Sequence, residues 1–210
     1  MKILVYSDIL LNKNITMIRD IVENNGVISY PTDTLYGLGG NFFSLAVIQK
    51  IDALKKRSDL PYSVAVSGIP MLEKIVEYIP DIFYDFASVL YPGKFTFLLP
   101  ASPELPATLL KNSKKIGIRI PGLPELLELM NLINLPLIST SVNRSNQIPI
   151  NDPDSIKTRF PEIDLLIDKG PLRKSKGSTI LDLTRIPVTC IRRGDDYQKL
   201  SELGLTVGDE

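Results

Sequence analysis

Apolar runs in this chain are short, about four to six residues, and each stops at a proline, a glycine or a cluster of hydroxyl side chains. Residues 27–30 run into Pro31, and 62–66, 94–99, 116–120, 136–140, 165–168, 179–183 and 188–192 repeat the pattern, which is that of strands. Stretches of helical spacing lie between them. Ile15, Ile18, Ile21 and Val22 follow the N-cap candidate Asn14 and stop at Gly26; Val47, Ile48, Ile51 and Leu54 follow the N-cap candidate Ser44. Residues 71–78 and 82–90, separated by Pro80, and residues 124–133 are also helix-like. Strands that alternate with helices and then cluster at the end predict an α/β layered sheet, partly parallel and partly antiparallel. At 210 residues, 44% of them hydrophobic, the chain can bury one substantial core, so a single domain over 1–210 is expected.

Composition narrows the chemistry. There is no histidine, which removes Ser-His triads, imidazole bases and the commonest zinc ligand. The single cysteine, Cys190, has no partner for an internal disulfide, and no apolar stretch reaches the length of a membrane span, so a reducing cytoplasm and no membrane are expected. Lys plus Arg and Asp plus Glu both count 24, so no global field draws the chain to nucleic acid; an anion site has to be local.

Polar clusters stand where strands stop, the place where open α/β sheets bind ligands. Tyr30-Pro31-Thr32-Asp33-Thr34-Leu35-Tyr36-Gly37-Leu38-Gly39-Gly40 is a strand followed by hydroxyls and glycines. It reads either as a backbone nest for an anion or as a turn whose Thr and Asp side chains bond their own backbone. No Gly-Lys-Ser/Thr closes it, so it is not a P-loop. Lys55-Lys56-Arg57 ends a helix, where cations favour the helix dipole; alternatively Lys55 and Arg57 point into a pocket and grip phosphate. Arg119 has apolar neighbours, so it meets a carboxylate of the protein or of a ligand. The hydroxyls and amides of Ser139-Thr140-Ser141-Val142-Asn143-Arg144-Ser145-Asn146 suit caps and turns as well as phosphate contacts, and Arg192-Arg193-Gly194 follows a strand. Residues 145–153, polar and proline-bearing, read as a mobile loop beside the site.

Seven of these segments, in order, resemble landmarks of the YrdC/Sua5 family. They are the 30–39 stretch (Pro-Thr-Asp-Thr-x-Tyr-Gly-Leu), Lys55-Lys56-Arg57 (Lys-x-Arg), Pro92-Gly93-Lys94-Phe95-Thr96, Gly117-Ile118-Arg119-Ile120-Pro121, Ser141-Val142-Asn143 (Ser-x-Asn), Gly177-Ser178-Thr179-Ile180-Leu181-Asp182 and Arg192-Arg193-Gly194. Two departures concern one loop: Ser58 stands where the family usually has proline, and Asp59-Leu60-Pro61 is one residue short and lacks a second lysine.

The resemblance implies a twisted mixed sheet with flanking helices and a central cleft, a core from about 14 to 194, and the short form without a C-terminal Sua5 domain. It implies a nucleotidyltransferase, threonylcarbamoyl-AMP synthase, acting on ATP, L-threonine and bicarbonate for t6A37 in tRNA, with downstream t6A-transfer proteins as partners and weak binding of tRNA itself. By carry-over, Lys55, Arg57, Ser141 and Asn143 are the catalytic tetrad. Arg57, Thr140, Ser141, Asn143 and Arg192 bind ATP, and Thr34, Arg119 and Ser178 bind threonine. Mg²⁺ accompanies ATP without an assigned protein ligand. Two other readings stand beside this one: an RNA-binding module, and a carbamoyl-adenylate enzyme with a different substrate, as in hydrogenase maturation proteins.

Overall fold

The computed structural model describes residues 1–56, 59 and 61–209. Among them are eleven strands: β1 (Lys2–Val5), β2 (Ile28–Pro31), β3 (Tyr36–Gly39), β4 (Ser63–Ala65), β5 (Phe95–Pro100), β6 (Lys115–Arg119), β7 (Leu137–Ser141), β8 (Leu165–Asp168), β9 (Thr179–Asp182), β10 (Thr189–Arg192) and β11 (Gly208–Asp209). They join in one sheet in the order β1-β8-β2-β3-β7-β4-β6-β5-β9-β10-β11. The pairing is mixed: β1–β8, β2–β8, β4–β6, β5–β9 and β10–β11 are parallel, the others antiparallel.

Both faces are covered. In β7 and β8 successive side chains enter two different cores, as Leu137 and Ile138 of β7 do. One face packs on α1 (Asn12–Glu23) through Ile15, Ile18 and Val22, and on α5 (Pro124–Ile133) through Leu126, Leu129 and Met130. The other packs on α2 (Leu45–Lys55) through Val47, Ile48 and Ile51, and on α4 (Ile82–Leu90) through Phe83, Phe86 and Leu90. Shorter helices, α3 (Ile69–Leu72), α6 (Pro153–Arg159) and α7 (Lys199–Glu202), and a 3-10 turn at Tyr6–Asp8 complete the described elements.

Several expectations hold at the level of single residues. Ser44 caps α2, its Oγ accepting from Val47 N at 3.2 Å. Three others change. The cap position of α1 is Leu11, and Asn14 lies inside the helix, its amide donating to Asp8 O at 2.8 Å. The helix expected over 71–78 stops at Leu72, because the backbone beyond it is claimed by the 100–102 segment: Glu77 N donates to Pro100 O at 3.0 Å and Ser102 N to Ile75 O at 3.1 Å. The glycines after Thr34 form no exposed nest; Gly37 and Gly39 lie in β3, between β2 and β7, and Gly40 follows it, all three buried. A Cβ on Gly39 would sit 1.9 Å from Ile138 O, so β3 approaches β7 as closely as it does only with glycine there.

Strand β7 joins the two halves of the sheet. Its end pairs with β3 through Thr140 and Ser141, and its start pairs with β4 through Leu137, Ile138 and Ser139. The hydroxyl cluster therefore sits at the seam, with Ser139 level with Ser63 of β4, and Arg119 at the end of β6 lines the same cleft.

Candidate functional site

At this seam the sheet opens into a cleft of about 530 Å³. Eight of the nine residues assigned from sequence line it together: Thr34, Lys55, Arg119, Thr140, Ser141, Asn143, Ser178 and Arg192. The ninth, Arg57, lies outside the described residues, as do Ser58 and Leu60 of the loop in which this sequence departs from the family pattern.

Lys55 ends α2 and is 2% exposed. Burying an ammonium requires oxygens in place of water. Lys55 Nζ donates to Ser141 O at 2.7 Å, Asn143 O at 3.1 Å and Asn143 Oδ1 at 2.8 Å. Ser141 Oγ donates to the same Oδ1 at 2.6 Å, while Asn143 Nδ2 donates to Arg144 O and Gln147 O at 3.1 and 2.7 Å. The amide orientation follows from this network: two donors converge on its oxygen and two carbonyls on its nitrogen. Lys56, at φ 51°, turns the chain out of α2 and also lines the cleft.

The Thr32–Thr34 turn follows the second reading of its sequence, a turn bonded to its own backbone. Thr32 Oγ1 accepts from Thr34 N at 3.1 Å and Leu35 N at 3.2 Å and donates to Leu35 O at 2.7 Å, closing the β2–β3 hairpin on itself. Thr34 remains on the cleft wall, buried, with its hydroxyl 3.1 Å from that of Thr32. Asp33 is the carboxylate that Arg119 meets: Arg119 Nη2 donates to Asp33 Oδ1 at 2.6 Å. The Arg119 guanidinium is not fully used, since its Nε is buried without a partner.

On the opposite wall, Ser178 precedes β9 and Arg192 ends β10. Arg192 Nε and Nη2 donate to Ser178 O at 3.1 and 2.7 Å, and Nη2 also to Ser178 Oγ at 3.1 Å. Thr96 of β5 shares a hydrogen bond of 2.7 Å with Ser178 Oγ. A Cβ on Gly194 would come within 2.4 Å of the Ser178 carbonyl, so this turn too needs glycine.

The charges in the cleft shape its titration. Desolvation, reinforced by the Arg119 charge, draws Arg192 below the ordinary arginine value. Burial pushes the Tyr30 hydroxyl up to about 12, against the Ser139 hydrogen bond and the Arg119 charge. Tyr36, on the cleft wall, is likewise raised to about 12 by burial, although it accepts from Lys169 N.

Among the described residues no three Asp, Glu or Cys side chains gather as a metal site, and Asp59 is the one carboxylate on the lining. Asp33, Thr96, Lys56 and Ser139 were not assigned from sequence. Asp33 and Thr96 stood inside quoted motifs, but contacts across 86 and 82 positions leave no local trace. The loop expected over 145–153 flanks the cleft with Ser145 and Asn146 and is tethered by Ile150 N to Val142 O at 2.8 Å and Ser145 N to Lys55 O at 2.8 Å.

Comparison with known proteins places the fold and the family. A family model named Sua5_yciO_yrdC, described as "Telomere recombination", matches residues 20–194. Threonylcarbamoyl-AMP synthase of Pyrococcus abyssi is 27% identical over 190 residues, 90% of this chain but 55% of the relative, so the chain spans little more than half of that protein. Uncharacterized protein YciO of Escherichia coli is 29% identical over 179 residues, 83% of this chain and 86% of that one. The E. coli YciO crystal structure superposes with a TM-score of 0.82 at 26% identity, covering 92% of this chain and 95% of that one. P. abyssi Sua5 complexed with L-threonine shares the fold at a TM-score of 0.90 and 22% identity, over 100% of this chain and 62% of that one. No described helix is long and apolar enough to cross a membrane.

Proposed function

Because the chain belongs to the Sua5–YciO–YrdC family, we propose that its cleft makes threonylcarbamoyl-AMP and pyrophosphate from L-threonine, bicarbonate and ATP, for t6A37 modification of tRNA in the cytoplasm. The observation that carries this reading is the convergence of eight residues, from position 34 to position 192, on one polar cleft. A relative of that activity, and a structure of the same fold solved with L-threonine, support the choice of substrate.

In this reading the amine of threonine adds to bicarbonate and releases water, giving N-carboxythreonine. A carbamate oxygen then bonds to the α-phosphorus of ATP as the bond to the β-phosphate oxygen breaks, and pyrophosphate leaves. Both steps gather negative charge, and fixed donors placed beforehand stabilise it. Lys55, held by Ser141 O and Asn143, supplies one positive charge at a fixed point. Arg119, with donors left after its bond to Asp33, takes the threonine carboxylate, flanked by the Thr34 and Ser178 hydroxyls. Thr140, Ser141, Asn143, Arg192 and Arg57 receive the nucleotide, and Mg²⁺ enters on its phosphates as part of the substrate. No step calls for an imidazole, in keeping with a chain that has none.

One feature favours a close variant of this reading. The loop after Lys55 has Ser58 in place of proline and lacks the second lysine, and the YciO relative matches this chain over more of its own length than the synthase does. A carbamoyl adenylate built on another amine is the alternative.

Purified protein incubated with ATP, bicarbonate and each amino acid in turn, with products identified by mass spectrometry, separates the two. Threonylcarbamoyl adenylate from threonine alone supports the proposal. Adenylate from a different amino acid selects the variant, and no adenylate from any amino acid removes the proposal and confines the variant to an amine of another class.

A further inference from the structure

Among the described residues two guanidinium groups line the cleft, Arg119 at the end of β6 and Arg192 at the end of β10. Their partners differ. Arg119 is paired with Asp33, and both side chains are largely buried, 8% and 13% exposed. Arg192 rests on neutral oxygens, Ser178 O and Ser178 Oγ, and among the described residues no carboxylate stands within ion-pair distance of it. Asp33 is not part of the lining. It reaches Arg119 from the hairpin behind the wall, its Oδ2 3.1 Å from where a Cβ on Gly122 would stand.

A paired guanidinium presents hydrogen-bond donors with little net charge, whereas an unpaired one presents a full positive charge. The first suits a single carboxylate and holds a multiply charged phosphate poorly; the second attracts phosphate. Arg119 retains donor capacity towards the cleft it lines, since among the described residues its guanidinium is bonded only through Nη2, to Asp33. The two arginines are close enough for the field of Arg119 to act on Arg192, so without Asp33 the cleft would hold two competing phosphate anchors.

We propose that Asp33 is a specificity-determining positioning residue: by pairing with Arg119 it reserves that arginine for a carboxylate and confines phosphate to the Arg192 side of the cleft. Which amino acid and which nucleotide fill the two subsites rests on the reading above; the division of charge does not.

The test uses inorganic pyrophosphate as the probe, titrated calorimetrically into full-length protein, with circular dichroism to confirm the fold. Wild type is expected to take one pyrophosphate. Asp33→Asn is expected to take a second, or to bind about tenfold more tightly with a steeper salt dependence. Asp33→Glu should behave as wild type, and Asp33→Asn combined with Arg119→Gln should return to one site. A folded Asp33→Asn protein with unchanged stoichiometry and affinity overturns the proposal, as does a gain that survives in the double variant.

If Asp33→Asn does not fold, wild type alone decides. Saturating pyrophosphate should leave the affinity for L-threonine within about twofold, and direct competition between them overturns the proposal. Failure of L-threonine to bind at all counts against the threonine reading above, and pyrophosphate against acetate then tests the same division.

Discussion

Lys55 Nζ meets Asn143 Oδ1 at 2.8 Å, closing 88 positions of sequence into one contact. The same amide oxygen accepts from Ser141 Oγ, so Asn143 holds both a buried cation and a hydroxyl of the cleft. Asn143→Ala leaves those donors short of an acceptor. Unfolding in urea should show a loss of about 1–3 kcal/mol. Adenylate formation should fall at least about 100-fold, the size of effect expected for a lost preorganised donor or its support. A variant of undiminished turnover would remove Asn143 from the machinery.

Arg192 touches Ser178 through Nε and Nη2, a forked contact that lysine cannot reproduce. Arg192→Lys keeps the charge and loses the fork. Pyrophosphate release measured against ATP concentration should show KM for ATP raised about tenfold or more, with KM for threonine changed far less. Equal effects on both substrates would point to a general distortion of the cleft.

Gly39 and Gly68 make a matched pair for stability. A Cβ at Gly39 would enter the van der Waals shell of Ile138 O at 1.9 Å, while one at Gly68 would meet Pro70 Cδ at 3.8 Å in extended backbone. Gly39→Ala should cost about 3 kcal/mol or more, and Gly68→Ala should be neutral or stabilise by up to about 1 kcal/mol. Equilibrium urea unfolding of the two variants checks both.

Tyr30 and Tyr36 predict loss of stability in alkali. Burial raises both hydroxyls from 10.0 to about 12 in the folded chain. Unfolding therefore releases protons between those values, and stability, fully present below pH 10, falls as pH rises towards 12. The slope is at most about 1.4 kcal/mol per pH unit for each tyrosine. Urea midpoints at pH 9 and pH 11 should differ accordingly.

How far such features are legible in sequence depends on the range of the interaction. The capping of α2 by Ser44 is settled within three residues, and its side chain, position and apolar face all follow from spacing. Strand β9 and the strands around Arg119 and Ser139 announce themselves as apolar runs ended by polar residues. By contrast, Tyr36–Gly39 has two glycines in four residues, which read as a turn; only the close approach of Ile138 makes it a strand. Residues 71–78 have helical spacing, but their backbone is drawn into pairing near Pro100. In the site, Arg119 stands out in sequence as a charge among apolar neighbours, and Lys55 and Arg192 only as cations where a helix and a strand end. Their partners, Asp33 for Arg119 and Ser178 for Arg192, are tertiary facts that no local pattern contains.

The most direct measurement uses bicarbonate labelled with heavy carbon, supplied with ATP and L-threonine to the purified protein. The account predicts pyrophosphate release that requires all three, and an adenylate carrying one labelled carbon. Pyrophosphate accompanied by an unlabelled threonyl adenylate, or no pyrophosphate at all, would contradict it.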